Sequence, residues 1–229
     1  MTKRYVVIGA SSGIGAAYAA DLERRGADLI SVSRRPAQHG TWVKADISTD
    51  EGIDAIVNAV GSAPLDGLLF LGGTWEQGAF TDVYSFASSP RPETRNVIAV
   101  NLVAPILCSQ ALAASLAKAP NPRIVFIGAL SGLDRSATAE VANTAAKFGL
   151  RGAAQALTIS LRTQGIGVSV INPGNVATPE VQDDIESGAF GDQVPIPLDD
   201  LFATINFILA ASKDAVPEEI NLAQKHPAL

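Results

Sequence analysis

The sequence predicts a single α/β domain in which helices cover both faces of a doubly wound parallel sheet, a three-layer α/β/α arrangement. Of the 229 residues, 47% are hydrophobic and only 17% are charged, which suits strands that are buried on both faces. Short apolar runs alternate with Ala- and Leu-rich segments of helical spacing, as in parallel strands joined by helical crossovers. The length suits one domain, and we expect residues 1–229 to form it.

Each strand is predicted from an apolar run bounded by turn residues. In chain order the runs are Tyr5–Ile8, Leu29–Val32, the weaker Trp42–Val43, Leu68–Leu71, Ile124–Ile127 and Val168–Ile171. The helices between them are predicted at Ile14–Arg25, Glu51–Val60, Asn101–Lys118, Val141–Arg162 and Leu198–Ala211. Residues 73–92 and 177–197 resist assignment. Since long loops at the carboxyl ends of parallel strands build ligand sites, we expect a substrate lid near residues 177–197.

The charge pattern and the cysteine count exclude several classes of protein. The formal net charge is −6 and the basic residues are scattered, so we expect no nucleic-acid partner. The single cysteine, Cys108, lies in an apolar stretch and is interpreted as a buried, inert thiol. We expect no metal site. The first apolar run is too short for a signal peptide, and no segment has the pattern of a membrane span, so a soluble cytoplasmic protein without a membrane partner is expected.

A glycine-rich turn joins the first strand to the first helix. Residues 9–15 read GASSGIG, and glycines at such a place let backbone N–H groups approach a phosphate at the positive end of a helix. An ordinary glycine-rich turn is the alternative, but the strand before and the helix after favour a nucleotide site. The residues expected to contact the pyrophosphate are Gly9, Ser11, Ser12, Gly13, Ile14 and Gly15.

The spacing of this turn resembles the G-x-x-x-G-x-G turn of the short-chain dehydrogenase/reductase family, whose members have a Rossmann-type fold. Further marks of the family follow in order: Asp46, Asn101, Lys147, Pro173-Gly174 and Thr178. The resemblance implies that Asp46 and Ile47 flank the adenine of a nicotinamide cofactor and that Thr178 meets the carboxamide. It also implies cofactor contacts from Gly72, Lys147, Pro173, Gly174 and Val176.

The residues after the second strand distinguish between the two nicotinamide cofactors. By resemblance, an NAD enzyme carries an acidic residue there that binds the ribose hydroxyls. This chain instead reads Ser33-Arg34-Arg35, and guanidinium groups match the geometry of a phosphate. We therefore expect NADP(H), with Arg34 and, less strongly, Arg35 on the 2′-phosphate, and NAD(H) is the less favoured cofactor. The alternative is that the arginines are solvated surface charges.

The catalytic pattern of the family is incomplete in this sequence. By resemblance, a serine and a tyrosine bind the substrate oxygen, a lysine holds the ribose, and an asparagine supports a water relay. Lys147 and Asn101 match the last two, whereas spacing places Asn143 at the tyrosine and Ala129 at the serine. We interpret the chain as a divergent member that lacks the catalytic tyrosine and serine.

Two other residues are candidates for replacing the lost groups. Glu140 shares a helical face with Asn143, Thr144 and Lys147 by three- and four-residue spacing. It is a candidate general acid, or a residue that merely caps or favours the helix N-terminus. Ser131 is a candidate for orienting a substrate oxygen, or an ordinary loop serine.

Three functions are therefore carried forward. The first is an NADP(H)-dependent oxidoreductase with an atypical centre that reduces a small organic substrate, a carbonyl, an imine or an activated alkene. The second is a catalytically degenerate NADP(H)-binding protein that acts as a sensor or a partner subunit, and a non-redox lyase or isomerase is a third possibility. The helices predicted at Asn101–Lys118 and Val141–Arg162 are apolar on more than one face. By resemblance they pair in a homodimer or homotetramer.

Overall fold

In the computed structural model, residues 2–225 are described; residues 1 and 226–229 of the expected domain lie outside this part. The described chain forms one sheet of seven parallel strands in the order β3-β2-β1-β4-β5-β6-β7. The strands are β1 Arg4–Ile8, β2 Asp28–Ser33, β3 Thr41–Lys44, β4 Gly67–Phe70, β5 Arg123–Ile127, β6 Gly167–Pro173 and β7 Glu219–Leu222. This order confirms the doubly wound Rossmann-type fold.

The helices lie between the strands in the alternation that the sequence predicts. They are α1 Gly13–Arg24, α2 Asp50–Val60, α3 Arg91–Ile98, α4 Ala104–Leu116, α5 Val141–Leu161, α6 Pro179–Glu186 and α7 Leu198–Ala210. A π-helical segment, Ala99–Val103, joins α3 to α4, and short 3-10 turns occupy Phe86–Ser88, Leu130–Gly132 and Arg162–Gln164.

The core is divided by the sheet into two layers. Successive side chains of a strand point to opposite faces, so in β1 Val6 and Ile8 pack with α2, α4 and α5, whereas Tyr5 and Val7 pack with α1 and α7. Because both faces are covered by helices, β1 is apolar from Tyr5 to Ile8 rather than alternating.

The predicted elements agree with the structure except at one strand and two helices, one of which is α6, within the unassigned residues 177–197. The edge strand β7 was not predicted, because its short sequence EINL is half polar and only partly buried. The helix expected to begin at Asn101 begins instead at Arg91 and contains the π-helical segment. Pro92 lies in its first turn, where the missing N–H costs nothing.

The continuous helix Arg91–Leu116 contradicts the expectation that no segment of the chain has the pattern of a membrane span. It has 26 residues and contains an 18-residue window of mean hydropathy 2.0, enough by length and composition to cross a membrane. Here its α4 part packs against the sheet, α2 and α5, and buries Cys108, Leu112 and Leu116, as the core helix of a globular domain does. The Cys108 side chain is fully enclosed, and burial raises the pKa of its thiol to about 12.

Candidate active site

The candidate site lies at the carboxyl edge of the sheet, where β1 and β4 are neighbours. The chain leaves β1 toward α1 on one face and leaves β4 toward α3 and α4 on the other face. Such a reversal opens a crevice beyond the strand ends, the usual ligand position in open α/β sheets. The segments that follow β1 to β6 bring the predicted site residues to this edge.

The turn of residues 9–15 is built by backbone contacts that exclude side chains. Gly9 has φ +87° and donates its N–H to Val32 O at 2.9 Å. A Cβ on Gly9 would collide with the backbone of Gly72, and a Cβ on Gly15 would collide with the carbonyl of Gly9. Gly13, with φ +54°, opens α1. The turn thus exposes main chain and the N-terminus of a helix, a surface suited to a phosphate.

The adenosine side of the crevice is bounded by the segments after β2 and β3. Arg34 and Arg35 are exposed, and Nη2 of Arg35 donates to the hydroxyl of Ser12 at 3.4 Å. Asp46 accepts from the hydroxyl of Ser48 at 2.7 Å. This bond, a backbone bond from the same residue and the charge of Arg34 lower the pKa of Asp46. Ile47, half-buried, packs against the core beside α2. Of the two cationic side chains, Arg35 therefore contacts the glycine-rich turn, and Arg34 lies within electrostatic reach of Asp46.

Asn101 is the central residue of a buried polar network. It lies in the π-helical segment with 2% of its surface exposed. Its Oδ1 accepts from Thr74 N at 2.9 Å, while its Nδ2 donates to Thr74 O at 2.6 Å and to Asn143 Oδ1 at 3.3 Å. The network ties the segment after β4 to α5 through three polar contacts.

Lys147 lies one turn after Asn143 on α5. Its Nζ donates to Ile127 O, at the end of β5, at 2.9 Å. Burial lowers the pKa of Lys147 to about 8, because removal from water penalises the ammonium form. Ser131 is buried in the 3-10 turn after β5, which packs directly against α5: a Cβ on Gly132 would lie 2.9 Å from the backbone of Lys147.

Two buried carboxylates hold the segment after β4 against the N-terminus of α5. Glu76 is 2% exposed, and its Oε1 accepts from Ala142 N at 2.8 Å and from Asn143 N at 3.2 Å. Glu140 is the N-cap residue, but its side chain makes no capping bond; its Oε1 accepts from Phe80 N at 2.7 Å instead. Of the alternatives for Glu140, capping by its own side chain is not what the structure shows, because Glu76 binds the first amides of the helix instead. Sequence reasoning missed Glu76.

The remaining predicted contacts follow β6. Pro173 ends the strand, and Gly174 N donates to Leu222 O at 2.9 Å. Val176 is buried and forms a parallel bridge with Ile196. Thr178 is the N-cap residue of α6, and its hydroxyl accepts from Val181 N at 3.4 Å.

Three aromatic rings join the two long loops. Phe80 packs edge-to-face on Trp75 at 6.2 Å between ring centroids, and on Phe190 of residues 177–197 at 6.2 Å. Phe80 has φ +64°, an unfavourable conformation for a bulky side chain, and the Glu140 carboxylate stabilises it by binding its N–H. Apolar surface therefore adjoins the polar network.

Comparison with known families decides the class of this arrangement. The sequence pattern of the family described as short chain dehydrogenase matches residues 3–187. The chain belongs to this family. Among curated members of the short chain dehydrogenase family, it is 29% identical over 196 residues to short chain dehydrogenase ausX of Penicillium brasilianum, with 81% of this chain and 73% of that protein covered. It is 28% identical over 190 residues to cis-4-hydroxycyclohexanecarboxylate dehydrogenase of Sinomonas cyclohexanicum, with 77% and 74% covered.

Solved structures of similar shape support the fold of this short chain dehydrogenase. The structure of ElxO with NADP bound superposes with a TM-score of 0.85 at 17% identity, over 97% of this chain and 98% of that one. That of 4-hydroxyisoleucine dehydrogenase with NADH gives a TM-score of 0.80 at 23% identity, over 97% of both chains. At these identities the likeness concerns the fold.

Proposed function

We propose that the protein is an NADP(H)-dependent oxidoreductase with an atypical catalytic centre, which reduces a small organic substrate. The observation that carries the proposal is the backbone cradle of residues 9–15 with Arg35 in contact with it, combined with membership of the short chain dehydrogenase family. When bound, the nicotinamide supplies or accepts a hydride at the carboxyl edge of the sheet.

The preference for NADP(H) is supported by charge. At the end of β2 the Ser33 hydroxyl donates to the carbonyl of Arg35 at 2.6 Å, so this position offers no carboxylate to a ribose. The guanidinium groups of Arg34 and Arg35 are exposed directly after β2, and each matches a phosphate in charge and geometry. NADP accompanies ElxO and NADH accompanies 4-hydroxyisoleucine dehydrogenase, so the fold itself accepts both cofactors.

The atypical centre follows from the residues at the family's catalytic positions. Asn143 and Ala129 stand where the resemblance expects the tyrosine and the serine, and an amide does not deliver a proton near neutral pH. Loss of a positioned general acid typically costs about 10²–10⁴ in rate. Lys147 and Asn101, which the resemblance assigns to the nicotinamide side, are both retained. We therefore propose a substrate whose reduction needs little acid assistance.

Calorimetry with NADPH and NADH tests the cofactor assignment. We expect NADPH to bind at least about tenfold more tightly, equivalent to roughly 1.4 kcal/mol, and Arg34→Asp to abolish this preference. Arg35→Asp is expected to weaken NADPH less. The matched control is Arg162→Asp, an exposed arginine in the 3-10 turn after α5. Retention of NADPH affinity in Arg34→Asp would refute the assignment.

A second candidate, an NADP(H)-binding protein without turnover, is favoured by the substitution at Asn143. It is distinguished by incubating the protein with NADPH and a panel of ketones, enones and imines while the nicotinamide absorbance is followed. Turnover of any class supports the enzyme, and binding without turnover supports the sensor or partner subunit.

We also propose that the protein is a homodimer or homotetramer and that residues 177–197 close over the substrate. The oligomer is supported by exposed apolar side chains on the outer surface of the two long helices, Val103, Ile106 and Phe148 among them. The lid is supported by the contact between the rings of Phe190 and Phe80.

A further inference from the structure

The orientation of the Asn143 amide is determined by the backbone of Thr74 through Asn101. Thr74 N donates to Asn101 Oδ1 at 2.9 Å and Thr74 O accepts from Asn101 Nδ2 at 2.6 Å. A backbone N–H and a backbone C=O cannot exchange roles, so the oxygen and nitrogen of the Asn101 amide are assigned unambiguously. Its Nδ2 then faces Asn143 as a donor.

The side-chain oxygen of Asn143 must therefore face that donor and accept its hydrogen bond. Asn101 Nδ2 lies 3.3 Å from Asn143 Oδ1, and the Asn143 amide nitrogen is left on the other side. Within residues 2–225 no atom accepts from this nitrogen, and it is not among the fully enclosed unpaired atoms of that part. Its two N–H groups therefore remain available to a ligand.

This donor is rigidly held. Asn143 is 4% exposed, and its backbone N–H donates to the buried carboxylate of Glu76 at 3.2 Å. One helical turn away, the Lys147 ammonium is held by Ile127 O at 2.9 Å. A pre-oriented N–H group beside a buried cation has the chemistry of an oxyanion-binding site.

We propose that the Asn143 amide binds the carbonyl oxygen of an α,β-unsaturated ketone or aldehyde and stabilises the enolate formed when its C=C bond is reduced. The inference rests on the proposed function and narrows its substrate class. An amide donates a hydrogen bond without releasing a proton, which suits an enolate oxygen. A ketone reduced at its carbonyl carbon needs a proton on oxygen, and an iminium nitrogen has no lone pair for the amide to bind.

The reaction balances with a reduced nicotinamide as the hydride source. The β-carbon of the substrate accepts a hydride, the C=C electron pair shifts toward the carbonyl, and the oxygen becomes an enolate facing Asn143. The α-carbon then takes a proton from water as the carbonyl re-forms. One hydride and one proton are added across the double bond, and the nicotinamide is oxidised.

The aromatic rings beside the network guide the choice of probe. Trp75 and Phe80 are 56% and 40% exposed, and Phe80 contacts Phe190 from the other loop. Rings of this kind favour a substrate with an aromatic or other apolar group. A matched pair is therefore 4-phenylbut-3-en-2-one and its saturated counterpart, 4-phenylbutan-2-one, which differ only in the double bond.

The decisive experiment combines turnover with binding. NADPH oxidation is measured with both ketones for the wild type, for Asn143→Asp and for the control Asn58→Asp, an exposed asparagine on α2. Asn143→Asp still offers an oxygen to Asn101 but replaces the donor with an acceptor. In parallel, 4-nitrophenolate, an enolate mimic, is titrated into each protein with NADP⁺ present, and NADPH affinity and thermal stability are recorded.

We expect saturation of the C=C bond, no consumption of the saturated ketone, and a loss of about 10²–10³ in kcat for Asn143→Asp. Nitrophenolate binding should fall in that variant, with NADPH affinity and stability retained. Wild-type rates in Asn143→Asp, or reduction of the saturated ketone, would overturn the inference. If neither ketone is consumed, the substrate class is wrong, and NADPH binding then shows whether the cofactor assignment fails with it.

Discussion

Lys147 combines a buried position with a group that prefers water. Its ammonium group has one protein acceptor among the described residues, Ile127 O, and burial lowers its pKa to about 8. The family resemblance supplied a role for this lysine, but only the structure shows the cost of placing it there, because burial cannot be read from the sequence.

The burial of the Lys147 ammonium group predicts that the free energy of unfolding depends on pH. The pKa of Lys147 is about 8 in the folded protein against 10.5 for an unperturbed lysine. The unfolded chain therefore binds more protons between these values, and the stability of the wild type rises with pH through that window. Relative to Lys147→Met, the free energy of unfolding of the wild type should increase by about 1–2 kcal/mol between about pH 7 and 9.5. Urea unfolding of both proteins at both pH values measures this difference. An equal change in the free energy of unfolding with pH in the two proteins would contradict the prediction.

The candidate site was predictable in part at this scale. Lys147, Asn101 and Asn143 were found because the family pattern has fixed spacing along the chain. Glu76 was missed because its partners on α5 are 66 and 67 residues away. A local sequence pattern cannot predict a helix cap that is supplied by a distant loop. Its one signal was that it is the only acidic residue between Gly72 and Thr81.

At the scale of elements, two carboxylates join the N-terminus of α5 to the loop of residues 73–92, one supplied by each element. Glu76 of the loop binds helix amides, and Glu140 at the helix start binds Phe80 of the loop. Each carboxylate satisfies donors that would otherwise be buried without partners. These two contacts hold Asn143 in its position relative to Asn101.

Replacing Glu76 should therefore destabilise the protein. Glu76→Ala leaves the N–H groups of Ala142 and Asn143 without their acceptor, and we expect a loss of about 2 kcal/mol in the free energy of unfolding. Glu76→Gln keeps an acceptor and should lose about 1 kcal/mol. The control is Glu93→Ala, whose carboxylate accepts from Gln77 N at 2.8 Å at the surface. An equal loss in Glu76→Ala and Glu93→Ala, measured in urea, would show that the buried cap adds nothing.

The π-helical segment explains why the third predicted helix was drawn incorrectly. Ala104 N donates to Ala99 O, five residues back, so the segment contains one residue more than a regular turn. The residues before and after it are out of phase, and a search for a 3.6-residue period does not join them. Asn101, at the middle of the segment, is thereby turned into the site.

At the scale of the whole molecule, the fold class could be predicted because it depends on a repeated signal. Six strands with apolar runs and the helices between them imply a parallel sheet whatever the error at each boundary. The partly polar β7 adds an edge strand without changing this conclusion. Each contact that shapes the site occurs only once, so no repeated sequence pattern predicts it.

The exposed apolar face of α4 and α5 predicts association. We expect the wild type to be a dimer or tetramer at micromolar concentration and Phe148→Asp to shift it toward a smaller species, because a charge in an apolar interface is left unpaired. Phe207→Asp is the control, since Phe207 is 60% exposed on α7 across the sheet. Light scattering measures the mass. A monomeric wild type would refute the association.

The position of α6 has a consequence for the speed of cofactor binding. A Cβ on Gly13 would lie 3.8 Å from Glu180 Oε2 and 3.9 Å from Thr178 Cγ2, so a carboxylate stands beside the turn that we propose receives a pyrophosphate. A carboxylate and a pyrophosphate repel at close range, so we expect the Glu180 side chain, or α6 with it, to move before the cofactor is seated. Rapid mixing with NADPH should therefore show an observed rate that levels off at high cofactor concentration, the mark of a conformational step. Glu180→Gln should raise the association rate severalfold and reduce its dependence on salt. A rate that grows linearly with concentration, and is the same in both proteins, would mean that α6 offers no barrier to entry.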